Sequence, residues 1–161
     1  MTAPNYAALK TALASTTYSG MTDAQIVAAL NAASVSQNVD IPISNVLKYF
    51  ALKGTLPIVT GWAKSPPAVA GNVTAAAQSA AQTFGLIFGP PPLFDALQMS
   101  DPTINATLTG MIAELVSAGL LSSQTQTDLV AMSVTTVSQA NLWGWPNGVS
   151  ENDVVAARAM P

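Results

Sequence analysis

Carboxylates, lysines and hydroxyls are the only reactive side chains available here, because the 161 residues include no histidine and no cysteine. Asp95 and Asp101 stand six apart around a proline-bounded loop, a spacing at which two carboxyls could share acid–base work on one bond. Nothing beside them in sequence would drive their two pKa values apart. The expectation is therefore that Asp101 caps a helix and Asp95 is an exposed first-turn residue of a short one. Glu151 and Asp153 open another helix, where negative charge suits the helix dipole. No Ser-x-x-Lys spacing occurs to make a Ser–Lys nucleophile. Without Cys or His a structural zinc site is not expected, and a metal would have to be a hard cation on carboxylates. We expect no catalytic residues, no cofactor and no metal site.

If function does not come from a reactive group, it comes from packing and surface shape. Half of the residues are hydrophobic and only 8% are charged. Gly85-x-x-x-Gly89 is a spacing that lets helices approach closely. Trp62, Trp143 and Trp145 are of a type enriched at interface centres, the last two in a turn containing Gly144 and Pro146. With Phe88, these residues (Trp62, Gly85, Phe88, Gly89, Trp143 and Trp145) are the candidate interface. Asn72-Val73-Thr74 and Asn105-Ala106-Thr107 match the glycosylation pattern and are read as chance matches.

The elements that must position them read as a series of short helices. Tyr6, Leu9 and Leu13 mark a first helix between Pro4 and about Ala14. Thr22-Asp23-Ala24-Gln25 is a capping box ahead of Ile26, Val27 and Leu30. Val39, Ile41 and Ile43 alternate around Pro42, the one stretch with strand periodicity, which proline confines to an edge or connector. Ser44 is placed to cap a helix through Leu52, closed by Gly54. Thr55-Leu56-Pro57 starts a short one that ends near Trp62. Ser65-Pro66 is a helix start leading to Gly89, stopped by Pro90-Pro91-Pro92. No residue from Ser65 to Phe94 is charged. Thr74, Gln78 and Gln82 form a polar stripe on that segment. Asp101-Pro102 opens a helix with Ile104, Leu108, Met111, Ile112, Leu115 and Val116 on one face, ended by Gly119. A second helix restarting at Ser122 or Ser123 makes an antiparallel hairpin with it. Ser138 to Trp143 forms a further turn, and Ser150-Glu151-Asn152-Asp153 caps a last helix through Arg158.

The fold expected is all-α: a compact array of short helices, an antiparallel helical hairpin in the C-terminal half, and at most one short extended segment. The chain reads as a single helical domain over 1–161, with a possible subdivision into 1–64, 65–94 and 95–161. Lys10, Lys48, Lys53 and Lys64 outweigh Asp23 and Asp40 in residues 1–70, a balance of +2, whereas Arg158 faces six acidic residues in 71–161, a balance of −5. Such polarity could favour head-to-tail stacking, though scattered surface charge is the plainer reading. Five basic residues are too few for a nucleic-acid footprint. The first residues lack a basic and an apolar region, so no signal peptide is expected, and no run is long and apolar enough for a membrane span.

Two stretches carry a resemblance. Tyr18-Ser19-Gly20-Met21-Thr22-Asp23-Ala24-Gln25-Ile26-Val27-Ala28-Ala29-Leu30-Asn31 resembles the N-terminal part of small alanine-rich proteins encoded by tailed bacteriophages. Ser100-Asp101-Pro102 through Leu121, with Ser138-Gln139-Ala140 and Val154-Val155-Ala156-Ala157-Arg158, is similar to the same group. The resemblance covers about half the chain and implies a phage gene of the structural region; the charge-free middle departs from the more charged pattern of that group. It leads to the expectation of a non-enzymatic minor virion protein at the tail or head–tail region, its partners other phage structural proteins and copies of itself. The alternative is a membrane-interacting protein released or ejected during infection, using residues 65–94.

Overall fold

Caps written into the sequence start most helices of the computed structural model, which describes residues 4–161. Asn5 accepts a hydrogen bond from the Ala8 N–H at 3.0 Å and opens α1 (Tyr6–Leu13). Thr22 and Gln25 form the reciprocal capping box of α2 (Asp23–Asn31), as the sequence leads one to expect. α3 (Ile43–Leu52) and α4 (Leu56–Gly61) begin without a side-chain cap. Thr74, Asp101, Ser122, Ser138 and Ser150 then cap α5 (Ala75–Phe88), α6 (Pro102–Ser117), α7 (Ser123–Met132), α8 (Gln139–Leu142) and α9 (Glu151–Ala159).

The fold is nevertheless mixed α/β and not all-α. Helices take up 56% of the chain, and four strands forming two small antiparallel sheets take up 11%. The strands are β1 (Ala33–Asn38), β2 (Ile41–Pro42), β3 (Ala96–Leu97) and β4 (Val134–Ser138), with β1 paired to β4 and β2 to β3. In the second pair Ile41 stands opposite Leu97 and Pro42 opposite Ala96, which is the extended segment expected around Pro42. The β1–β4 ribbon was not expected, and burial explains why. All but one residue of β1 are exposed, so it shows no apolar alternation and is held by backbone pairing. β4 carries the β-branched run Val134-Thr135-Thr136-Val137, whose conformational preference favours a strand.

Two helix starts also differ from expectation. α3 begins at Ile43, so Ser44 lies inside it and caps nothing; the otherwise unpartnered N–H of Ile43 donates instead to the Asp95 carbonyl at 2.9 Å. α5 begins at Ala75 and not after Ser65-Pro66. The intervening stretch turns at Gly71, whose φ is +58°, and closes an isolated bridge between Ala70 and Val73. The expected hairpin is present as α6 and α7 packed on each other. Between them Gly119, at φ +69°, lets the N–H groups of Gly119 and Leu120 return to the Val116 and Leu115 carbonyls, so the last turn of α6 is satisfied before the chain reverses.

The chain falls into two units, one running from its beginning to Gln37 and resuming over Thr136–Pro161, the other comprising Asn38–Thr135. Neither boundary coincides with a cut at 64/65 or 94/95. The first unit packs Leu9, Ile26, Leu30, Trp145, Val149 and Val154. The second builds its core on Phe50, Phe84 and Phe88, which meet edge-on at centroid distances of 5.8, 5.5 and 4.6 Å. Folding also redistributes the charge. Lys10 and Arg158 share the first unit with Asp23, Glu151 and Asp153, a balance of −1; Lys48, Lys53 and Lys64 share the second with Asp40, Asp95, Asp101, Glu114 and Asp128, a balance of −2. The polarity between the sequence halves does not become a polarity between units.

Candidate functional site

An open apolar groove in the second unit is built by α5, α6 and the segment 93–98. α5 packs against α4, with Phe84 against Trp62, and comes unusually close at Gly85. A β-carbon added to Gly85 would lie 2.8 Å from the Trp62 carbonyl carbon and closer still to the Ala63 nitrogen. That contact is why the helix needs glycine there. It turns the next position, Leu86, outward, and 48% of its surface is exposed. The prolines after Gly89 end the helix, and the chain that follows leaves Leu93 and Phe94 exposed at 63% and 55%. On the other side α6 carries Ile104, Leu108 and Met111. Together these residues line an open groove of about 440 Å³ that also touches Thr83, Gln98, Thr103 and Thr107 and no charged side chain. Its size is that of sites which hold small ligands or the anchor residues of a partner.

Of the candidate interface residues, Trp62, Gly85 and Phe88 are buried in the second unit, Trp62 packing against Phe84 at 6.3 Å between centroids. Trp145 is buried in the first unit, edge-on to Tyr6 at 5.1 Å. Trp143 is half-buried beside the same core. Gly89 is half-buried and lines a depression next to the groove. The structure thus brings Trp62, Gly85 and Phe88 together as packing, and the groove is made by others. Leu86, Leu93, Phe94, Ile104 and Met111 went unnoticed as a surface. The signal for them was the apolar pair Leu93-Phe94 directly after three prolines, and an apolar face on α6 wider than one partner helix covers.

The carboxylates act within the fold. Asp101 caps α6, accepting from the Thr103 and Ile104 N–H groups at 2.8 and 3.0 Å. Asp95 is exposed at a bend just before β3, not on a helix. Asp128 accepts from Gln124 Nε2 at 2.8 Å and from the Tyr49 hydroxyl at 2.9 Å, with Lys53 Nζ at 3.7 Å. These bonds hold the Asp128 carboxyl below the usual aspartate value, the Gln124 amide contributing most. Burial, opposed by a hydrogen bond involving Thr125 and reinforced by Asp128, pushes the Tyr49 hydroxyl up. A tyrosine kept protonated against a carboxylate kept ionised is a stable clip rather than an acid–base pair. Among the described residues no three His, Cys, Asp or Glu side chains converge on a metal-sized space, and no helix is long and apolar enough to cross a membrane. Both asparagines of the glycosylation-like triplets are engaged, Asn72 Nδ2 donating to the Ala118 carbonyl at 2.5 Å and Asn105 Nδ2 to that of Met99 at 2.9 Å.

Fold and surface together describe a mostly helical α/β protein with an open apolar groove. No protein-family model, curated protein or solved structure matches the chain.

Proposed function

We propose that this protein is a non-enzymatic assembly component that works by contact, with the groove between α5 and α6 as its contact surface. The observation that carries the reading is the groove itself: an uncharged apolar recess flanked by exposed Leu86, Leu93 and Phe94. Soluble chains rarely leave such a cluster uncovered unless something covers it in use. The resemblance of Tyr18–Asn31 and of the Ser100–Leu121 stretch to alanine-rich proteins of tailed phages supplies the setting, a minor subunit of the tail or head–tail region. Mass-spectrometric quantification in purified particles, against a capsid-protein standard, tests it. A fixed stoichiometry that falls when Leu93→Asp is introduced supports the reading; absence of the wild-type chain from particles sinks it.

Lipid contact through residues 65–94 is the weaker reading. α5 turns Ala77, Ala81, Phe84, Ile87 and Phe88 into its own core, so little of that stretch remains to enter a bilayer. A single basic residue, Lys64, stands beside the groove, fewer than the flanks that draw helices to anionic lipid. Flotation with the wild-type chain on anionic liposomes would revive it.

A further inference from the structure

The groove offers an occupant few polar partners. Its lining is apolar apart from three threonines and Gln98, and the Thr107 hydroxyl is spent on the Thr103 carbonyl at 2.9 Å. α6 uses its backbone groups within the helix, the first N–H groups going to Asp101. A peptide strand laid along that wall would leave its own N–H and C=O groups unpaired. An alkyl chain has no such groups, and about 440 Å³ falls within the sizes at which small-ligand sites occur. Polar contact begins at the margin. Leu86 and Leu93 also line a neighbouring depression of about 470 Å³, in which Lys64 is the only charged residue. Lys64 takes no part in the ion pairs found among the described residues, Lys53–Asp128 and Arg158–Asp23, and its four-carbon stem lets the ammonium reach. A third depression adjoins at Leu93 and Phe94 and holds Asp40 and Asp95. Asp40 is already engaged, accepting from the Ser100 N–H at 3.0 Å and hydroxyl at 2.6 Å, and Asp95 has only a one-carbon stem.

We infer that the groove binds a long-chain carboxylate, with its alkyl chain between α5 and α6 and its head group at Lys64. This goes beyond the reading of the groove as a contact surface, because it gives the free chain a small ligand of its own. The alkyl chain supplies the affinity: each methylene taken out of water strengthens binding by up to about fourfold. The gain stops when the chain outruns the groove. The head group supplies orientation. An anion finds the mobile ammonium of Lys64 past Leu86, and is disfavoured on the side of Asp40 and Asp95. No charged side chain lines the groove itself, so charge acts only at its mouth.

Titration calorimetry of the full chain with laurate, kept below the concentration at which it forms micelles, reads the binding directly. Laurate binds saturably with one site per chain, and more tightly than dodecyltrimethylammonium, which has the same chain length and the opposite charge. Lys64→Glu weakens laurate about fivefold and strengthens the cation, a reversal that loss of structure would not produce. Thr107→Trp fills the groove from an exposed position and removes both ligands, with an unchanged circular dichroism spectrum. Across saturated carboxylates of increasing length the affinity rises and then levels off. Absence of saturable laurate binding overturns the inference, as does a cation that binds the wild type equally well. So does laurate binding that neither substitution alters, which would place it elsewhere on the chain. Particle stoichiometry is read without added ligand, so failure of this inference is distinguishable from failure of the proposed function.

Discussion

In the unit assembled from the two ends of the chain, polar side chains make the long-range closures. Asn31 donates from Nδ2 to the Val149 carbonyl at 2.9 Å and accepts from the Val149 N–H at 2.8 Å. Tyr6 donates to Asp153 at 2.5 Å, and Arg158 meets Asp23 at 2.6 Å. In the unit between them, helices close on one another through Phe50, Trp62, Phe84 and Phe88, and the apolar residues left over form the groove. The difference follows from size. A small unit buries too little surface to rely on the hydrophobic effect alone, so directional bonds between distant segments define its shape. A larger unit has enough apolar contact to hold itself and still leave some exposed for a partner.

The largest effects should come from the apolar unit. Phe84→Ala empties a position that is 1% exposed and touches three other aromatic rings, so urea unfolding should show a loss of about 3–5 kcal/mol. Hydrogen exchange should quicken in α3, α5 and α6 while α1, α2 and α9 keep their protection. Equal loss of protection in both groups would break the comparison and make the two units one cooperative structure. Gly85→Ala comes next. The new methyl meets backbone at Trp62 and Ala63 and not a side-chain end that can swing away, so the cost should lie toward the upper part of about 1–3 kcal/mol. Thermal unfolding would check it, with Gly110→Ala as the control, where nothing lies within 4 Å of the added carbon.

How legible each unit was in sequence follows the same divide. Helices marked by local chemistry were readable: the Thr22–Gln25 box, the Ser150 cap, the Asp101-Pro102 start and the Gly119 stop all lie within a few residues of what they control. The β1–β4 ribbon was not, because its pairing joins residues about a hundred apart and β1 buries almost nothing. Ser65-Pro66 carries a start signal as good as Thr74 does, but Pro67 and Gly71 follow it and the helix waits. Trp62, Gly85 and Phe88 were singled out for their types, yet which side of α5 faces α4 is decided by packing. The same packing turns Leu86 outward, so the groove depends on a choice that no local pattern records.

The polar closures of the smaller unit should give smaller effects that are easier to assign. Asn31→Ala takes its partner from the N–H and carbonyl of buried Val149, and should cost about 1–2 kcal/mol in chemical unfolding. Asp153 offers a test by pH. Bonds from Ser150, then from the Tyr6 hydroxyl, hold its carboxyl below the usual aspartate value. Because the folded state lowers this pKa, the stabilisation is full above the unfolded value and is lost as pH falls through the folded one. Asp153→Asn should therefore lower the melting temperature at neutral pH, by the equivalent of about 1 kcal/mol for a weakened cap. The gap to wild type should shrink below about pH 4. A gap that persists in acid would mean that the contribution is not ionic.

The smallest effect should be that of Arg158, and it separates two kinds of polar closure. Its partner Asp23 sits in the first turn of α2, and Arg158 itself in the last turn of α9, so each charge also favours the dipole of its own helix. The two side chains are 49% and 28% exposed, which leaves the pair open to water and to salt. Arg158→Ala therefore removes a dipole interaction as well as the pair, and the single substitution overstates the contact. A double-mutant cycle with Asp23→Ala isolates the coupling, expected at about 0.2–1 kcal/mol in low salt and near zero in molar salt. The Asn31 clasp carries no net charge, so its contribution should not change over the same series. If both fade together, charge rather than geometry closes this unit, and the contrast with its apolar neighbour is one of electrostatics. If only the Arg158 pair fades, the neutral two-ended bond at Asn31 is what fixes the fold between the chain's ends.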